Sequence, residues 1–289
     1  MERVAGLVDV FADEPFMGNP LAIVEDADGL TERQMRCIAR EFNQAETTFI
    51  LRSTKADRAL RCFTASGVEV FGAGHNALGA WLWLGLEGKL GDLSEPQSFT
   101  QEIGQEVLLV TMEKIGGRIY GRMHQSALKL FPPLTQTEHL ARALKISPYL
   151  ILQEPAPRPA DTGTAHLMVR VADKNAVDAA APDAQLLLSV LDRTEAEGCY
   201  VYALCKQSAQ TAYARFFNPT VGLWEDAATG TAAGPLAAYL ANEGLLQSDE
   251  LTIEQGTKMG RRSILLVRLT PDPVLYGTGV VSLRGKLNI

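Results

Sequence analysis

The chain has 289 residues, 46% of them hydrophobic and 21% charged, which is enough apolar material for one large core or two medium ones. Lys and Arg number 27 against 34 Asp and Glu, a formal net charge of −7, with no basic block or stripe. Nucleic acid is thereby excluded as an expected partner, and an acidic substrate requires a local site because the global field does not attract it.

The N-terminal stretch MERVAGLVDVFADEPF carries acids too early for a signal peptide, and the most apolar run, Ala77–Leu86, is too short to span a membrane. A cytoplasmic protein with no membrane partner is the expectation. In chain order, residues 4–11 read as a strand, and GNPLAIVED follows as a second one across a glycine turn. Residues 31–40 read as a helix capped by Thr31, with Met35, Ile38 and Ala39 on its apolar face. ETTFILRS is a strand of β-branched and aromatic residues, and RALRCFTAS continues the β pattern to Ser66. GVEVFGAGH then leads into a helix over 76–86.

Residues 98–112 are β-rich, and a rise in charge, proline and glycine places a domain boundary near 116–129. Beyond it, 135–144 reads as a helix, TAHLMVRVAD as a strand, and KNAVDAAAPDAQLLLSVLDR as mostly helical. CYVYALCK and AYARFF are strands, 231–242 is a helix, and the tail from Ser263 holds two strands around a Pro/Gly turn. Both halves therefore run strands into a glycine-rich turn that opens a small-residue helix: FGAGHNALGA at 71–80 and DAATGTAAG at 226–234.

A helix start leaves N–H groups unpaired and suits an anion, and glycine lets a ligand approach the backbone. Neither turn fits the dinucleotide fingerprint or a phosphate loop, so no nucleotide cofactor is expected. The four cysteines, Cys37, Cys62, Cys199 and Cys205, match neither C-x-x-C nor a zinc cluster and read as buried free thiols. His124, His139 and His166 lack ligand spacing and read as structural or exposed, so no metal is expected. No G-x-S-x-G elbow is present.

His75 sits inside the first turn, where the helix dipole biases an imidazole toward neutrality; it reads either as a structural histidine or as a group that passes a proton. Glu46 stands where a loop enters a strand. It is either an edge acid facing water or a half-buried carboxylate suited to general base work. Asp226 precedes the second turn and reads as a helix-start acid or as half of a carboxylate pair with Glu46. Thr229 and Thr231 are natural caps and equally donors to a substrate oxygen.

In DVFADEPFMGNPLAIV, AREFNQAETTFI, RCFTASGVEVFGAGHNALGA, FFNPTVGLWEDAATGTAAG and EQGTKMGRRS, the chain resembles the phenazine-biosynthesis PhzF-like family over nearly its whole length. The resemblance implies an α+β diaminopimelate-epimerase-like fold of two pseudo-symmetric lobes, each a curved sheet around a central helix, with the site in the cleft. The expected divisions are 1–120 for the first lobe, 121–277 for the second, and 278–289 as a strand returning to the first. The implied activity is cofactor-independent isomerisation of a small carboxylated, cyclic or conjugated metabolite by a homodimer.

The family's catalytic glutamate falls on Glu46, its histidine on His75, its aspartate on Asp226, and its serine after the A-T-G turn on Thr231. Gly74, Asn76, Thr229 and Gly230 are expected to bind the substrate through the two helix starts. Ala45 replaces the serine before the glutamate and Ala227 replaces a proline. Relatives of the fold that racemise amino acids carry cysteines where Gly74 and Thr229 stand here, so two-thiol racemisation is not expected. A cofactor-free lyase or hydrolase, or a protein that only binds a small carboxylate, are the alternative readings.

Overall fold

The computed structural model of the protein describes residues 2–205, 208–221 and 223–289. They form two compact units, Met1–Met123 together with Tyr276–Ile289, and His124–Leu275. Lys206, in the expected strand CYVYALCK, and Gly222, in one of the family-like stretches, lie outside the described residues.

In the first unit β1 (Glu2–Val10) and β2 (Asn19–Val24) pair antiparallel. The turn between them places Phe11, Phe16 and Gly18 at φ of 61°, 70° and 68°. Helix α1 (Glu32–Phe42) begins as expected at Thr31, whose hydroxyl accepts from the Gln34 amide while the Gln34 side chain accepts from Thr31 in return, a closed capping box. Asn43 ends it in the left-handed region at φ 51°.

Strands β3 (Glu46–Leu51), β4 (Arg58–Thr64) and β5 (Glu69–Val70) lead to helix α2 (His75–Leu86). The β-rich segment read as one piece is two strands, β6 (Gln97–Ile103) and β7 (Glu106–Ile115), turned at Gly104 with φ +60°. β8 (Arg118–His124) closes the set.

In the second unit come β9 (Lys129–Leu130), α3 (Glu138–Leu144), β10 (Arg158–Asp161) and β11 (Ala165–Arg170). The long helical stretch is broken at Pro182 into α4 (Lys174–Ala179) and α5 (Ala184–Leu191), each capped by an aspartate, Asp173 and Asp183. β12 (Gly198–Cys205), β13 (Ser208–Asn218) and β14 (Leu223–Asp226) precede helix α6 (Gly230–Asn242), then β15 (Glu250–Gln255) and β16 (Ser263–Leu269). β17 (Pro273–Asn288) runs on into the first unit, pairing with β1 from Glu2↔Asn288 to Val10↔Gly279.

The two units repeat one pairing signature. β1–β2 is antiparallel, β2–β3 parallel, β3–β4 antiparallel, β4–β6 parallel and β6–β7 antiparallel. In the same order β10–β11 is antiparallel, β11–β12 parallel, β12–β13 antiparallel, β13–β15 parallel and β15–β16 antiparallel. In each, the second parallel step is bridged by the buried helix, α2 or α6. The α+β class expected from the sequence is the class observed.

α2 is apolar all round and buried on every side from Asn76 to Gly85, packing on β1, β2, β3 and β7. Its two indoles require acceptors: Trp81 Nε1 donates to Gln101 Oε1 at 2.8 Å, and Trp83 Nε1 donates to the buried carboxylate of Glu25, which Lys89 also meets. α1 covers the other face of the sheet, where Met35, Ile38, Phe49 and Phe63 share one core. α6 is buried in the same way against β10, β11, β15 and β16. Pro235 interrupts it and removes the donor that would reach the Thr231 carbonyl. Among the described residues no helix is long and apolar enough to cross a membrane.

Candidate active site

The candidate residues of the first unit are placed by strand alternation. Thr48 stands opposite Cys62, and Glu46 opposite Thr64, so Glu46, Thr48 and Cys62 point to one face of the sheet. Thr47, Phe49 and Phe63 point to the other, which α1 covers. The face of Glu46 meets the start of α2, where the Thr48 hydroxyl donates to the Asn76 carbonyl at 3.2 Å. Glu46 keeps 18% of its side-chain surface and His75 keeps 11%. Glu46 is therefore the half-buried carboxylate of the two readings, and not an acid facing water.

His75 Nδ1 lies 3.7 Å from Glu46 Oε2, and His75 Nε2 is buried with no partner among the described residues. Burial pushes the imidazole down to about 4, so it is neutral at neutral pH and its contact with Glu46 is not an ion pair. Neutrality was expected from the helix dipole; the cause here is desolvation. The Cys62 thiol donates to Glu46 Oε2 at 3.6 Å.

Asn76 does not offer its side chain to a ligand. Its Oδ1 accepts from the Gly74 and Ala77 amides at 2.7 and 2.8 Å, and its Nδ2 donates to the Gly72 carbonyl at 2.9 Å. The side chain is the clip that shapes the turn, with 2% exposure. What the helix start can present is backbone: the N–H groups of His75 and Asn76, which an α-helix leaves without an internal acceptor. A Cβ at Gly74 would meet only Asn76 Oδ1, at an ordinary 3.6 Å, and one at Gly72 would meet nothing within 4 Å. Internal packing leaves these positions open.

The candidate residues of the second unit surround Asp226, the last residue of β14, which is 8% exposed. Its Oδ2 accepts from the Thr229 hydroxyl at 2.6 Å. Thr229 is the N-cap residue of α6, yet its side chain makes no cap bond to the helix. Its hydroxyl proton goes to Asp226, its oxygen accepts from Gln255 Nε2 at 3.0 Å, and its amide donates to Gln255 Oε1 at 3.2 Å. Thr229 is thus satisfied inside the protein and is not the open donor that its cap position suggested.

Gln255 is fully buried and holds this corner together: it also donates to the Asp226 carbonyl at 2.8 Å and accepts from the Tyr200 hydroxyl at 2.7 Å. Burial, and after it the Asp226 carboxylate, pushes the Tyr200 phenol well up, so that it remains a donor. Gly256 follows at φ +76°, and any side chain there would overlap the carbonyls of Arg261 and Ala227. Ser263 fixes the Ala227 carbonyl at 2.8 Å.

Thr231, in the first turn of α6, shares a 3.1 Å hydrogen bond with His166 Nε2. His166 is 2% exposed, stacks edge-on against Phe216 and is held by burial at about 3, hence neutral. Gly230 keeps its carbonyl bonded to Gln125 Nε2 at 3.0 Å.

His166, Gln255, Tyr200 and Cys62 were not legible as site residues. His166 had no ligand spacing, and Gln255 is one amide in an ordinary strand. Cys62 does not stand in a glycine turn. Only strand pairing reveals it, since Thr48 opposite Cys62 puts the thiol one step from Glu46. Of the four thiols, Cys62 and Cys199 are buried, but Cys37 and Cys205 are exposed, which corrects the expectation that all are interior. Among the described residues no group of three or more His, Cys, Asp or Glu could hold a metal ion.

The fold is of the α+β epimerase-like kind, and it holds a carboxylate and a neutral imidazole at the start of a buried helix. The chain belongs to the phenazine biosynthesis-like (PhzC-PhzF) protein family, whose model matches residues 8–286. It is 32% identical over 264 residues to trans-2,3-dihydro-3-hydroxyanthranilate isomerase of Pseudomonas chlororaphis, covering 91% of this chain and 88% of that one. It is 31% identical over 286 residues to the uncharacterized isomerase YddE of Escherichia coli K12, covering 95% and 94%. The crystal structure of the Bacillus anthracis phenazine biosynthesis protein of the PhzF family superposes with a TM-score of 0.90 at 27% identity, covering 100% of both chains.

Proposed function

We propose that the protein is a cofactor-independent isomerase that moves a proton between carbons of a small carboxylated, cyclic or conjugated metabolite, with Glu46 as the general acid and base. The observation that carries this reading is Glu46 itself, 18% exposed and 3.7 Å from a neutral His75 at the opening of α2. A carboxylate in such a place can take a proton from an activated carbon and return it to another without leaving its position. The equivalent place in the second unit, the first residue of β12, is Gly198, so a carboxylate stands at this strand start in one unit only. One base acting on one face of the substrate fits that asymmetry.

His75, neutral, orients the substrate or relays a proton through its unpartnered Nε2. The amides of His75 and Asn76 at the α2 start stabilise the substrate carboxylate or any developing enolate charge. In the second unit Asp226, Thr231 and the Gly230 amide are the candidates for polar contact with a ligand. The family and its isomerase relatives support the reaction class.

The test is incubation with trans-2,3-dihydro-3-hydroxyanthranilate, followed by a panel of conjugated carboxylates, in deuterated water. Deuterium should enter the ligand at carbon, and the Glu46→Gln variant, with an unchanged circular dichroism spectrum, should lose at least about 100-fold in rate. Binding without exchange would replace the isomerase with a carboxylate-binding protein. Full exchange by Glu46→Gln would remove the glutamate from its role.

A further inference from the structure

We propose that Cys62 is a positioning residue for Glu46: its thiol donates to Glu46 Oε2 and thereby sets both the placement and the proton affinity of that carboxylate. The proposal rests on the reading of Glu46 as the base. It adds a group that neither the glycine turns nor the helix starts contain.

The geometry comes from the β3–β4 register, in which Cys62 stands opposite Thr48 and one alternation from Glu46 on the same face. Cys62 Sγ lies 3.6 Å from Glu46 Oε2, and the residue is 3% exposed. Burial, and next the Glu46 charge, pushes the thiol well above its ordinary value, so it keeps its proton. That proton needs an acceptor. Asn76 and Thr48 also stand within reach of the thiol, but Asn76 Oδ1 already accepts from the Gly74 and Ala77 amides and the Thr48 oxygen is a neutral acceptor. Glu46 Oε2 is the acceptor with charge to offer.

Among the described residues of this unit, the titratable side chains of Cys62 from β4 and His75 from α2 face Glu46. Leu21 of β2 stands beside it in register. Arg61, next to Cys62, points to the opposite face and pairs with Glu69 and Glu32. A thiol suits this role because it is a weak donor. It restrains the carboxylate without stabilising the charged form as strongly as a hydroxyl would, leaving the base able to take a proton from carbon. Buried and protonated, it is inert as a nucleophile.

The experiment uses the full chain labelled with 13C at the glutamate carboxyl, with Glu46 assigned by the signal missing from Glu46→Gln. Its carboxyl shift is titrated in the wild type, in Cys62→Ala and in Cys62→Ser. Loss of the thiol in Cys62→Ala should raise the titration midpoint by about half to one pH unit, the size expected for one hydrogen bond to a carboxylate. Cys62→Ser, a near-isostere and a stronger donor, should bring it back to or below the wild-type value. A role in packing alone would lower the melting temperature and leave the midpoint in place.

A midpoint unmoved in both folded variants overturns the proposal. Should Cys62→Ala fail to fold, a Cys62→Ser midpoint at or below the wild-type value upholds it and a rise overturns it. The two readings fail separately. Turnover retained by Glu46→Gln removes the base while the Cys62-dependent shift stands; an inactive Glu46→Gln with no shift removes Cys62 alone.

Discussion

His75 and His166 show how burial alone sets a protonation state. In the unfolded chain each takes up a proton near 6.5; in the folded protein burial delays this to about 4 and about 3. Between those values the unfolded state binds more protons, so acid favours unfolding. Stability should therefore be level above about pH 6.5 and fall as the pH drops through the window to 4, by up to about 3 kcal/mol for His75. Urea unfolding at a series of pH values reads this, and His166→Leu should show a shallower decline. Neutrality at position 75 was legible from its place in a glycine turn. The dominance of desolvation over the dipole was not, because burial depends on what packs over the ring from distant strands.

An apolar helix in the middle of a sheet creates obligations that its own residues cannot meet. α2 buries two indoles, and Trp81 Nε1 finds its acceptor on Gln101 of β6, itself 1% exposed. Gln101→Leu leaves a buried donor unsatisfied and should cost about 2 kcal/mol by urea denaturation. Trp81→Phe in the Gln101→Leu background should restore part of that loss, a coupling that a double-mutant cycle measures. At the other extreme α1 depends on near neighbours. Its box of Thr31 and Gln34 lies within four residues, and Thr31→Ala should cost about 1 kcal/mol. The first residue pair was invisible in the sequence; Thr31 was visible as a cap at once. Sequence separation is the difference: capping acts over three residues, the indole bond over twenty.

On the scale of the whole molecule, the first unit is finished by the end of the chain. β17 pairs with all of β1 through its residues Gly279–Asn288 and replaces what would otherwise be an open edge. Removing 276–289 should expose β1 and abolish the cooperative unfolding of residues 1–123, seen as protease sensitivity confined to that unit. The sequence by itself placed many of the strands and helices, among them the two glycine-turn helices, through periodicity, caps and short motifs, which are written in adjacent residues. The α+β class and the choice of Glu46, His75 and Asp226 as the chemistry came from the resemblance to the PhzF-like family. Only the tertiary structure decided that Cys62 touches Glu46, that Gln255 and Tyr200 hold the Asp226 corner, that the Asn76 and Thr229 side chains serve the turns, and that His166 meets Thr231. Each of those contacts is set by strand register or helix placement, which joins residues that no local pattern relates.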